Sequence, residues 1–134
     1  MTRKEARELL MQLLYQMELL NDHSEENKTA YLDKNFKEKG HKDYASQLME
    51  QVLSNKDAID AKLNEYSNKW NTTRMPKVDL AILRLAAAEL LYMDDIPNAV
   101  AINEAVDMAK KFSSDESKAF INGILGKIAK EKDA

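Results

Sequence analysis

Residues 77–93, "KVDLAILRLAAAELLYM", are apolar on almost every side of a helix, and past the opening lysine only Asp79, Arg84 and Glu89 are charged. In a soluble protein such a helix belongs at the centre of the packing, with other helices laid around it. Its three charges are spaced five apart, so successive ones point about 140° from each other and cannot pair as residues four apart do. Each must therefore reach solvent, a neighbouring element or a partner, because an unpaired buried charge is costly.

Working outward, Pro76 and Pro97 mark helix starts on either side of this stretch. After Pro97, Ile102, Ala105, Val106, Ala109 and Phe112 cluster on one face centred near Ala109. Asn103 and Glu104 lie about 130° from that centre on opposite flanks, which makes them solvated or partner-facing. A last helix follows "SSDES", where Ser113 or Ser114 can cap and Asp115 and Glu116 suit the positive end of the dipole. Phe120, Ile121, Ile124 and Ile128 form its apolar stripe, while Lys118, Asn122 and Gly126 share another face. Gly123 and Gly126 each cost about 1 kcal/mol relative to alanine in a helix, so close approach of another backbone or a ligand is expected there, packing being the favoured cause.

Towards the N-terminus, "KWNTTRMP" breaks the pattern, preceded by a helix carrying Ile59, Leu63 and Tyr66 and another carrying Tyr44, Leu48, Val52 and Leu53. Residues 22–43 alternate lysines and acids around Tyr31, Leu32 and Phe36, as a short helix ended by Gly40 would. Thr2 and Glu5 form a capping box that starts the first helix, whose stripe is Ala6, Leu10, Leu13, Leu14, Met17 and Leu20. The expectation is an all-α fold of about seven helices in one domain over residues 1–134.

Composition agrees, since 134 residues with three glycines and two prolines, 44% hydrophobic and 32% charged, can bury one core behind a solvated surface. With no cysteine, disulfides, thiolate catalysis and Cys-based zinc sites are excluded, and a reducing, cytoplasmic setting fits. No secretory signal or apolar run of roughly 20 residues is present, so neither export nor membrane insertion is expected. His23 and His41 lie in polar stretches outside any metal or nucleophile–base motif, and the Glu38–His41 spacing has no second copy. Without a phosphate-cradling glycine loop, a nucleophile elbow or a dinucleotide fingerprint, no enzyme, metal or cofactor is expected.

Charge is distributed unevenly. Net charge is -3, so nucleic-acid binding would need a local patch. Arg3, Lys4 and Arg7 sit in the first two turns of the first helix, where cations oppose the dipole; they suit an exposed terminus or a phosphate contact. Trp70 between Lys69 and Arg74 is either a core anchor or a base-stacking surface. From 79 to 107, Asp79, Glu89, Asp94, Asp95, Glu104 and Asp107 face only Arg84, an acidic excess suited to a basic protein partner.

Along nearly its full length the chain resembles the NusB family of bacterial transcription antitermination factors. The resemblance rests on "VDLAILRLAAAEL", "IPNAVAINEAVDMAKKF" and "ESKAFINGILGKIA", supported by "RKEARELLMQLLYQ" and Trp70. It implies two small helical bundles sharing one core. It also implies a non-catalytic role, binding boxA RNA of ribosomal RNA leaders with NusE, a small-subunit ribosomal protein, and other Nus factors to keep RNA polymerase elongating. Carried onto this chain, the RNA-binding residues are Arg3, Lys4, Arg7, Glu116, Ser117, Lys118 and Phe120; the reading of the loop itself adds Lys69 and Arg74 as RNA-binding candidates. Asp79, Glu89 and Asp94 are the partner-facing candidates, and the resemblance moves Asn103 and Glu104 towards the same role. Two other readings are an RNA-recognition module of a ribosomal RNA cytosine methyltransferase, for which a cofactor-binding domain is lacking, and a homodimeric helical scaffold.

Overall fold

The computed structural model describes residues 1–134 and contains seven helices and no strand. They are α1 (Arg3–Leu20), α2 (Glu25–Asn35), α3 (Lys39–Ser54), α4 (Lys56–Tyr66), α5 (Lys77–Tyr92), α6 (Asn98–Phe112) and α7 (Asp115–Lys132). α5 is buried from Asp79 to Leu90 because α1, α3 and α4 pack on it from the N-terminal half and α6 and α7 from the C-terminal half. One continuous apolar core runs through all seven helices. None of them is long and apolar enough to cross a membrane.

The three charges of α5 go to neighbouring elements. Asp79 accepts from Ser113 Oγ at 2.7 Å and Ser117 Oγ at 2.6 Å, clamping the α6–α7 junction to the start of α5. Arg84 donates to both Asp60 oxygens at 2.9 and 2.8 Å and to Glu18 at 2.5 Å, joining α1, α4 and α5. Glu89 accepts two bonds of 2.9 Å from Arg7 of α1. The divergent directions of these side chains are what let one central helix tie together several neighbours.

The structure corrects the sequence reading in three places. α2 ends at Asn35, where Phe36 turns extended and buries its ring; Gly40 lies in the first turn of α3, where backbone amides need no partner within the helix. On α6 the buried face is Ala101, Ala105, Met108 and Ala109, rotated away from Ile102 and Val106, while Asn103 points outward and Glu104 is half-buried at the edge, as their distance from the apolar centre predicts. Packing does not explain the α7 glycines, since a Cβ at Gly123 or Gly126 would meet nothing within 4 Å.

Candidate nucleic-acid interface

The first turn of α1 is held by its capping box: Thr2 Oγ1 accepts from the Glu5 amide at 3.1 Å, and Glu5 accepts from the Thr2 amide at 2.8 Å. Arg3 and Lys4 leave this turn in different directions. The Arg3 guanidinium lies 3.8 Å from the centre of the Tyr44 ring on α3, a cation–π arrangement. Lys4 reaches α6, 3.4 Å from Glu104 and 3.2 Å from Asp107. Hydrogen bonding to Asp107 holds the Lys4 ammonium above its ordinary pKa.

Arg7 is not a surface cation. It is 3% exposed and its bidentate partner Glu89 is 1% exposed, so neither is free for a phosphate or a protein partner. Burial opposes the guanidinium charge, but the hydrogen bonds and attraction from Glu89 outweigh it. Asp79 and Ser117 are corrected in the same way, since they are buried against each other. A local acidic excess on paper is thus partly consumed within the fold.

At the start of α7, Ser114 Oγ accepts from the Ser117 amide at 3.0 Å, which fixes where the next residues point. Lys118 faces a cleft of about 330 Å³ between α6 and α7, whose walls include Asn103, Asp107, Lys110 and Asn122. Neither Lys110 nor Lys118 has an ion-pair partner within the chain, whereas Lys4 ends on Asp107 at the cleft wall.

The other flank of α7 carries a smaller cleft of about 160 Å³, with Asn68, Lys69, Phe120, Gly123 and Lys127 among its walls. Trp70 and Phe120 meet edge to face there, ring centres 5.2 Å apart, and Lys69 lies 4.3 Å over the indole while pairing with Glu116. Trp70 is therefore half-buried at the rim of the core, and its partner ring Phe120 is half-buried beside it. Ala119 belongs to both clefts, so the exposed ridge of α7 separates two cation-bearing grooves, the smaller of them largely apolar.

The fold thus brings together Lys69, Glu116 and Phe120 on one side of α7, and Lys4, Asn103, Glu104 and Lys118 along the other. Arg74 is exposed in the α4–α5 loop but lines neither cleft, and Asp94 stands exposed before α6 without an ion pair. Lys110 and Lys127 were missed from sequence and Asp107 was read only as part of an acidic excess, although Asn103, Asp107 and Lys110 follow the four- and three-residue steps of one helix face. Tyr44, the seat of Arg3, carried no local signal because its contact spans α1 and α3. No three His, Asp or Glu side chains gather to hold a metal; His41 has only Glu38, at 3.9 Å.

Comparison with known proteins gives a consistent picture. A family profile described as "NusB family" matches residues 4–130. The transcription antitermination protein NusB of Alkaliphilus oremlandii is 43% identical over 132 residues, spanning 98% of this chain and 96% of that one. The solved NusB of T. maritima superposes with a TM-score of 0.88 at 34% identity, over 98% of this chain and 92% of that one. A chain from a complex of antitermination factors NusB and NusE with double-stranded RNA superposes with a TM-score of 0.85 at 27% identity, over 96% of each.

Proposed function

This chain belongs to the NusB family, and on that premise we propose that it binds boxA RNA of ribosomal RNA leaders jointly with NusE, so that RNA polymerase elongates through terminators. The family is one of antitermination factors and the chain is not an enzyme. The observation that carries the RNA reading is the pair of clefts flanking α7, one bearing the unpaired Lys110 and Lys118 and the other bearing Lys69 beside the Trp70–Phe120 rings. Phosphates suit the first and unpaired bases suit the second.

The relative solved with NusE and RNA supports the choice of partners. With Asp79 and Glu89 occupied inside the fold, the partner-facing candidates contract to Asp94 in the turn before α6 and Asn103 and Glu104 on α6. The chain acts in this reading as a cytoplasmic adaptor within an elongation complex that also contains other Nus factors.

The test is an RNA titration by fluorescence anisotropy at several salt concentrations, with and without NusE. Two proteins sharing one RNA raise effective concentration, so affinity rises when NusE is present. Lys118→Ala weakens binding at low salt and lowers the salt slope by about one, as loss of a phosphate contact does. An unchanged slope removes Lys118 from the interface, and no rise with NusE overturns joint binding.

A further inference from the structure

The residues assigned to RNA and those assigned to a protein partner touch each other. Lys4, an α1 cation, is held by Glu104 and Asp107, two acids one turn apart on α6. No other cation of the chain pairs with these two carboxylates, since the neighbouring Lys111 goes to Glu8 at 2.9 Å. Lys4 and Asp107 are both about half exposed, so a ligand can reach either side of the pair.

We infer that this ion pair couples the two binding events: a basic protein segment that takes Glu104 and Asp107 releases Lys4 to an RNA phosphate at the α6–α7 cleft. The inference rests on the RNA and partner reading above and gives it a residue-level device. While the pair is closed, the RNA meets a neutralised lysine and two carboxylates beside Lys110 and Lys118. A cationic partner takes over the two carboxylates that Lys4 holds and frees that cation for the phosphate. Binding of either ligand then favours the other by the same factor, as linkage requires. Arg3 stays outside the exchange because its guanidinium is seated on Tyr44.

The experiment measures the affinity of the chain for a boxA oligoribonucleotide with and without saturating NusE. It compares the wild type, a Glu104→Gln/Asp107→Asn variant, Lys4→Gln, and the combination of all three; circular dichroism checks the fold of each. From the strength of exposed ion pairs, the acid-neutral variant should bind RNA alone about threefold tighter, and the enhancement by NusE should shrink by about the same factor. In the Lys4→Gln background, neutralising the acids should shrink the enhancement less than it does when Lys4 is present, because only the repulsion between carboxylates and phosphate is left to relieve. An undiminished enhancement in the acid-neutral variant overturns the exchange while leaving RNA binding intact. An equally large shrinkage without Lys4 also overturns it, because the acids would then act without the lysine. Failure of the wild type to bind the oligonucleotide even with NusE overturns the underlying reading instead.

Discussion

Arg7 shows how a single side chain changes meaning when its surroundings are known. As one of three cations at a helix start it suits a phosphate, but the fold gives both its donors to Glu89 and removes it from water. Arg7→Ala strands a buried carboxylate and should cost about 3–5 kcal/mol in denaturant unfolding, whereas replacing the pair together as Arg7→Met/Glu89→Leu should cost far less. Loss of RNA binding in an Arg7 variant therefore reports on folding. His23 is a second case. Burial first and the Lys56 charge second hold its pKa below the ordinary 6.5; Arg84 adds to them, while Glu18 at 3.7 Å and Asp22 pull the other way. Because the folded chain resists the proton that the unfolded chain accepts, stability present above pH 6.5 should fall as pH drops below it. His23→Gln should flatten that part of a stability-against-pH curve. A separate loss follows as pH falls below the ordinary 4.5 of Glu18, whose carboxylate is partly desolvated but held lower by Arg84.

At the level of the element, α7 presents a ridge on which Ala119, Gly123 and Gly126 leave the backbone uncovered. Since a Cβ meets open space at both glycines, Gly126→Ala and Gly123→Ala should each stabilise the fold by about 0.5–1 kcal/mol in thermal unfolding. Gly123 also walls the cleft beside Phe120, so Gly123→Ala should weaken RNA binding while Gly126→Ala leaves it unchanged; equal affinities for the two variants would count against an RNA strand lying over Gly123. Helix positions were legible from periodicity because each amphipathic face repeats along its own chain, and the capping box of α1, the serine cap of α7 and the prolines marked starts. The α2–α3 boundary was not legible, because it is set by Phe36 turning into a core built largely by other helices.

Over the whole molecule, α5 is the axis on which both halves meet. Asp79 and Glu89 stand roughly 15 Å apart by the helical rise of 1.5 Å per residue, and they anchor the start of α7 and the start of α1 respectively. Between the two starts lies α6, whose Asp107 pairs with Lys4 of α1 and whose Lys110 lines the α6–α7 cleft. Because the core is continuous across α5, we propose that the chain unfolds as one domain: Leu85→Ala, which empties a fully buried site, should lower stability by about 2–5 kcal/mol without splitting the transition. Two resolved transitions would refute that unity.

Local pattern by itself determined the helical class, the central place of residues 77–93 and most helix starts, since those depend on spacing along one segment. Only the tertiary structure decided which charges remain available: it buried Arg7, Glu89 and Asp79 inside the fold, the last against Ser117, left Lys110 and Lys118 unpaired, and closed Lys4 onto Glu104 and Asp107. The physical reason is that helical periodicity says which way a side chain points, whereas the dielectric and the counterion that give a charge its role come from segments remote in sequence.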